Sequence, residues 1–151
     1  MIYVGIDPGL VSGAWAAIDH NGAYVACQTI PHVDRRIAVR QWRDDMRQVM
    51  SGQDALIGLE SVHSMPGQGV ASTFAFGRAV GAIEGLLDLL PWPWHHLQPR
   101  AWKKAMGVTA DKATSLTLAR DLWPTAPLKR QKDHGCAEAL LMAEHVRRTW
   151  A

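Results

Sequence analysis

Residues 2–9 read Ile-Tyr-Val-Gly-Ile-Asp-Pro-Gly, and the fold prediction starts from them. Its apolar, partly β-branched character predicts a short buried strand that ends in one carboxylate, Asp7. The Pro-Gly pair that follows turns the chain at once. Asp7 can therefore be a plain turn residue, or it can be delivered by the strand to a functional site.

A second apolar run, residues 55–60, also ends in a carboxylate, Glu60. Glutamate is a poor turn former, so the run directs this side chain to the end of a sheet strand. If the two strands are parallel neighbours, Asp7 and Glu60 emerge at the same end of the sheet.

The third acidic stretch, residues 133–138, opens the last helical pattern. Residues four apart share a helix face, so His134 and Glu138 project together, whereas Asp133 can join them only from the cap position. Glu138 is the better ligand candidate, and Asp133 and His134 remain alternatives for the next role. Asp133 as a helix cap and His134 as a surface residue are the plain structural interpretations.

Gathered carboxylates repel one another unless a cation lies between them, and oxygen ligands suit hard divalent ions. Two Mg²⁺ ions, with Mn²⁺ as a substitute, can activate a water and stabilise the leaving oxygen of a phosphodiester. The pattern therefore predicts a Mg²⁺-dependent nuclease. The candidate catalytic and metal-binding residues are Asp7, Glu60, Asp133, His134 and Glu138.

Turn signals and periodicity predict an α/β protein with a central five-stranded mixed sheet flanked by helices, as a single domain over 1–151. Asn21-Gly22 predicts a hairpin, and three antiparallel strands precede two parallel ones. Asp34 is expected to cap the first helix. No Gly-x-Gly-x-x-Gly follows a strand, so we expect no nucleotide cofactor. The predicted strands cover 2–7, 12–18, 23–29, 55–60 and 92–97, and the predicted helices cover 34–50, 71–90, a short segment from 99, 111–122 and 133–149.

The helix over 71–90 carries Gly77, Gly81 and Gly85 at every fourth position. Each costs about 1 kcal/mol of helix stability relative to alanine. We expect close packing of this stripe against the sheet or a partner helix to compensate.

Basic residues are concentrated in the segment 98–132, which has eight Lys or Arg against two Asp, although the net charge of the whole chain is only +2. Such a patch is an electrostatic footprint for a polyanion, with an ordinary solvated surface as the alternative. Arg100, Lys103, Lys104 and Lys112 are the DNA-binding candidates from this segment.

The two cysteines, Cys27 and Cys136, form no metal motif and are expected to be unpaired, buried side chains in a reducing compartment. We expect no secretory signal and no apolar run long enough to span a membrane. A cytoplasmic protein without a membrane partner is therefore predicted.

Together the three acidic stretches resemble those of RuvC-type Holliday junction resolvases in the RNase H-like superfamily. The residues that carry the resemblance are Gly5-Ile6-Asp7-Pro8-Gly9, Glu60-Ser61-Val62-His63, Gly77-Arg78-Ala79-Val80-Gly81 and Asp133-His134 through Glu138. Pro99, Trp102-Lys103 and Asp111-Lys112 resemble phage and prophage members in particular.

The resemblance implies an RNase H-like fold, a homodimer and symmetric nicking of a four-way DNA junction in the bacterial cytoplasm. Asp7, Glu60 and Glu138 would be metal carboxylates, and His63 would stack on a junction base. Arg78 is a further DNA-binding candidate. Gly135 lies where the family pattern has an acidic residue or histidine, three before Glu138, which leaves the fourth ligand open between Asp133 and His134.

Other classes compete with this interpretation. Actin-like sugar kinases and ATPases share the Gly-Ile-Asp-x-Gly start, but they need two such lobes, and we expect one here. A catalytically inactive junction-binding protein and a branched-DNA or flap nuclease with broader selectivity remain alternatives.

Overall fold

The computed structural model describes residues 1–9, 11–64 and 66–150. Seven strands and five helices are assigned in this part of the chain, with a 3₁₀ turn over Gln131–Asp133 before the last helix. The strands are β1 (Ile2–Asp7), β2 (Ala14–Asp19), β3 (Tyr24–Thr29), β4 (His32–Val33), β5 (Arg36–Ile37), β6 (Ala55–Glu60) and β7 (Trp94–Leu97). The helices are α1 (Val39–Met50), α2 (Val70–Leu89), α3 (Pro99–Met106), α4 (Lys112–Leu122) and α5 (His134–Trp150).

The central sheet has the strand order β3-β2-β1-β6-β7. β1 pairs antiparallel with β2, which pairs antiparallel with β3, whereas β6 runs parallel to both β1 and β7. The predicted five-stranded mixed sheet is confirmed. The predicted parallel pairing of β1 with β6 is confirmed as well, in a register that places Ile6 beside Leu59.

Helices cover both faces of the sheet, so β1 and β2 are buried except at their last residues. Residues of α3, α4 and α5 form one core cluster with Tyr3 of β1, and residues of α1 and α2 form the other with Val4 and Ile6. Alternate side chains of β1 thus point into the two cores, as expected for a central strand.

The prediction that Asp34 caps a helix beginning there is wrong. Asp34 and Arg35 both have positive φ, 49° and 57°, and form the turn of a small antiparallel hairpin between β4 and β5. Asp tolerates this left-handed conformation, which explains why a residue favoured at caps is also found in a turn. α1 begins at Val39, after Ala38, which makes no side-chain cap hydrogen bond.

The glycine stripe of α2 does not pack against its own sheet. A Cβ added at Gly77, Gly81 or Gly85 would meet nothing within 4 Å, so this half of the packing prediction is wrong. The buried side of α2 is formed instead by Ala79, Ile83, Leu86 and Leu87.

The expectation that no segment is long and apolar enough to span a membrane is wrong for α2 by length and composition. This helix has 20 residues and a mean hydropathy of 1.3 in its most apolar window. Four of its side chains are buried in the core, and 22% of this window is buried. The absence of a membrane partner stays a prediction.

The prediction of unpaired cysteines is also wrong, because Cys27 of β3 and Cys136 of α5 form a disulfide. Their Cα atoms are 5.8 Å apart, within the range that a disulfide spans. The two residues are 109 positions apart in sequence, and only the packing of α5 on β3 brings them together. The cytoplasmic location is argued partly from unpaired cysteines, and it stays a prediction.

Candidate active site

The strands β1 and β6 deliver Asp7 and Glu60 to the same end of the sheet, since they are adjacent, parallel and in register. Asp7 is partly buried, and Glu60 is the last residue of its strand. The prediction that these two carboxylates emerge together is confirmed.

Helix α5 crosses β1 closely enough to bring Glu138 to this end of the sheet. The close approach depends on Gly5, where an added Cβ would lie 2.6 Å from Ala143 N and 2.8 Å from Met142 Cβ. Glu138 is 6% exposed, and its charge acts on Asp7. The three carboxylates given by the resemblance thus belong to one cluster, called here the carboxylate cluster: Asp7, Glu60 and Glu138.

Burial raises the pKa of Asp7 to about 8, and the neighbouring charges of Glu60 and Glu138 add to this effect. Burial also raises the pKa of Glu60. Lys103 opposes the rise in the pKa of both residues. A cluster in which carboxylates are held against their own repulsion is typical of a functional site rather than of a stability device.

Helix α3 holds both glutamates through two adjacent side chains. The Trp102 indole Nε1 donates to Glu60 Oε1 over 2.9 Å, and Lys103 Nζ lies 3.2 Å from Glu138 Oε1. Ser115 of α4 is fully buried and donates through Oγ to the same Glu138 oxygen over 3.4 Å. Sequence reasoning missed the roles of Trp102 and Ser115, because only the packing of α3 and α4 reveals them.

His134, a candidate ligand, contacts a lysine of α4. Its Nε2 lies 3.0 Å from Lys112 Nζ, and its Nδ1 lies 3.3 Å from the carbonyl of Gln131. Lysine is only a donor, so His134 accepts at Nε2 and donates from Nδ1 to the carbonyl. The charge of Lys112 acts on Asp7, so the pair borders the carboxylate cluster.

Asp133, the other candidate for the fourth ligand, is not brought into the carboxylate cluster. Its carboxylate accepts from Arg130, over 2.8 Å from Nη2 and 2.7 Å from the backbone N. These hydrogen bonds hold the pKa of Asp133 below its usual range. Asp133 thus closes the turn before α5 through Arg130, and its role as a metal ligand stays a prediction.

Gly135 fills the position three before Glu138. An ideal Cβ there would lie 3.0 Å from Ser12 O and 3.6 Å from Asp7 Oδ2. The backbone of the α5 first turn therefore packs directly beside Asp7, in the space that a longer side chain would occupy.

The remaining DNA-binding candidates differ in their distance from the cluster. His63 is exposed and lines a surface pocket with Glu60, Glu84 and His96. Arg100 and Lys104 are exposed on α3, the helix that contacts the cluster. Arg78 lies against the β4–β5 hairpin beside Arg36, in a separate pocket.

The donor set fits a hard divalent cation in its chemistry, because three mutually repelling carboxylates offer only oxygen ligands. The three carboxylates do not surround a common point at binding distance. Within residues 1–9, 11–64 and 66–150, no three His, Cys, Asp or Glu side chains are grouped closely enough to hold a metal ion. The nearest positive charge to Glu138 is the ammonium group of Lys103.

Solved structures with a similar fold are known. The chain is similar to Thermus thermophilus RuvC in complex with Holliday junction substrate, at a TM-score of 0.73 and 16% identity, over 99% of this chain and 96% of that one. A second structure of Thermus thermophilus RuvC matches at a TM-score of 0.69 and 18% identity, over 98% of this chain and 96% of that one.

A viral protein has the same architecture. The Holliday junction resolvase of fowlpox virus matches at a TM-score of 0.62 and 13% identity, over the full length of both chains. No protein-family model and no curated protein matches the sequence. The predicted RNase H-like fold of the RuvC type is confirmed, and identities this low establish the fold alone.

Proposed function

We propose that this protein is a Mg²⁺-dependent DNA endonuclease that resolves four-way junctions by symmetric cleavage. The observation that carries the proposal is the carboxylate cluster at the shared end of β1, β6 and α5, in which burial and repulsion raise the pKa of Asp7 to about 8. Of the solved structures that it resembles, the fowlpox virus protein is a Holliday junction resolvase, and one RuvC structure is in complex with Holliday junction substrate.

Asp7, Glu60 and Glu138 would hold the metal, which supplies an activated water and charge stabilisation at the leaving oxygen. Trp102 and Ser115 fix one oxygen of each glutamate, and this preorganises the ligands. Arg100, Lys103, Lys104 and Lys112 would contact phosphates, which positions the DNA without reading its sequence.

The experiment that tests this function is cleavage of a set of labelled substrates with and without Mg²⁺. We expect paired nicks at symmetric positions in a four-way junction, and slower cleavage of a flap and of an RNA–DNA hybrid. Equal rates on all three would favour the broader branched-DNA nuclease. Tight junction binding without cleavage in Mg²⁺ or Mn²⁺ would instead identify a junction-binding protein.

Symmetric nicking needs two sites related by a two-fold axis, so we propose a homodimer. The exposed side of α2 is the proposed interface. Phe74 is 69% exposed and Leu89 is 83% exposed, and the glycine stripe between them leaves open space for a second helix. Small residues allow close helix approach, and a symmetric contact would bury this apolar surface.

The dimer is tested by light scattering at micromolar concentration. We expect a mass near twice that of the chain for wild type, and a monomer for Phe74→Glu combined with Gly81→Glu. Val25→Glu, at an exposed apolar position on the edge strand β3, is the matched control and should remain dimeric. A monomeric wild type would contradict the dimer.

A further inference from the structure

Lys103 is the basic residue in closest contact with the carboxylate cluster. Its ammonium group pairs with Glu138 at 3.2 Å, and its side chain is only 23% exposed. Lys112 has a different partner, the Nε2 of His134 at 3.0 Å. Lys104, the next residue on α3, is exposed. The partly buried ammonium group of Lys103 therefore lies directly against carboxylates that repel one another.

The contact uses an oxygen that a metal would also need. Glu138 Oε1 accepts from Lys103 Nζ and from Ser115 Oγ, so both of its lone-pair directions are used. A Mg²⁺ ligand oxygen lies about 2.0–2.1 Å from the ion. A metal at Oε1 therefore has to displace one of these two donors, and its positive charge repels the ammonium group of Lys103 but not the neutral hydroxyl of Ser115.

We propose that Lys103 is the resident counter-ion of the carboxylate cluster, that a divalent cation displaces it from Glu138, and that the freed ammonium group then binds a phosphate of the DNA. This inference rests on the proposed nuclease function. It gives Lys103 two partners in succession, and it accounts for a basic residue among the ligands of a cation.

The exchange couples metal binding to DNA binding. A cation that releases Lys103 adds one phosphate contact, so it raises DNA affinity beyond its own attraction for the phosphate. Linkage requires the reverse as well: DNA that holds Lys103 away from Glu138 raises the affinity for the metal by the same factor. Lys104, which is exposed on the same helix, has no such coupling.

Metal binding without DNA is the first test, measured by titration calorimetry with Mg²⁺. We expect Lys103→Met to bind Mg²⁺ about three- to tenfold tighter than wild type, since a competing cation is removed. Without metal this variant should melt at a lower temperature, because Glu138 loses its partner, and Mg²⁺ should restore it. Lys104→Met is the matched control, with Mg²⁺ affinity unchanged.

The DNA arm measures the salt dependence of junction binding with and without Ca²⁺, on gels that confirm an intact junction. Ca²⁺ should steepen the slope more for wild type than for Lys103→Met, by about one phosphate contact, or a slope change of about 0.9. Lys104→Met should show the wild-type difference.

Two results overturn the proposal: unchanged Mg²⁺ affinity in Lys103→Met, as expected if the metal uses Oε2 and Lys103 stays, or an equal Ca²⁺ effect on the slope in both proteins. A wild-type protein that binds no divalent ion would overturn the nuclease function itself, and with it this inference, so the two failures are distinguishable.

Discussion

Asp7→Asn is expected to abolish phosphodiester cleavage and, without metal, to raise the melting temperature. The cleavage rate should fall by at least about 10³-fold, because the most central ligand of the metal is lost. The free energy of unfolding should increase, because asparagine occupies nearly the same volume but lacks the negative charge that burial, Glu60 and Glu138 disfavour. A gain of about 1–2 kcal/mol corresponds to about 3–6 °C in a chain of this size.

The pH dependence follows from the sign of the shift. The pKa of Asp7 is raised from 3.8 to about 8, so between these values the folded protein binds more protons than the unfolded chain. Stability must therefore decrease as the pH rises through this window. Wild type and Asp7→Asn should melt alike near pH 4 and differ most near pH 8.

The measurement is a series of thermal melts from pH 4 to pH 8 in chelator, repeated with Mg²⁺. Mg²⁺ should stabilise wild type near pH 8 and have little effect on Asp7→Asn. Asp121→Asn, at an exposed aspartate of α4, is the control and should keep both cleavage and melting temperature. Equal melting of wild type and Asp7→Asn at every pH would show that Asp7 is not held against repulsion.

The sequence predicts the sheet and the three clustered carboxylates because these depend on local patterns. β1 and β6 are short apolar runs with a carboxylate at the end, and a parallel pairing places Asp7 beside Glu60. The position of Glu138 also follows from helical periodicity, which separates it from Asp133.

Contacts between residues that are far apart in the chain could not be predicted from the sequence. The sequence leaves Asp133 and His134 as alternatives, because it does not show that Arg130 donates to Asp133 and that Lys112 contacts His134. Trp102 enters the sequence analysis only through the resemblance, and nothing in the sequence shows that its indole donates to Glu60, 42 residues away. The Cys27–Cys136 disulfide joins positions that no motif connects.

Asp34 shows the limit of a local pattern. Aspartate is favoured both at helix caps and in tight turns, and the helical spacing after it favoured the cap. The formation of the β4–β5 hairpin against α2 decides between the two, and that contact is tertiary.

Gly5→Ala is expected to destabilise the fold more than the same substitution at any other glycine of this chain. The added Cβ would contact the backbone of α5 at Ala139 and Ala143 as well as Met142 Cβ, and backbone atoms cannot rotate away. Either α5 moves off β1, which displaces Glu138, or β1 bends and displaces Asp7. Overpacking against backbone in a rigid core should cost more than about 3 kcal/mol.

Urea unfolding of Gly5→Ala and Gly69→Ala compares the same added methyl group in two surroundings. Gly69 is the residue before α2, outside the glycine stripe, and nothing lies within 4 Å of its Cβ, so alanine there should change the free energy of unfolding by about 1 kcal/mol or less. Gly5→Ala should lower the free energy of unfolding, or prevent folding, and its residual folded fraction should cleave poorly because the ligands separate. A Gly5→Ala protein with wild-type stability would show that α5 does not lie this close to β1, and the geometry of the carboxylate cluster would then have to be rebuilt.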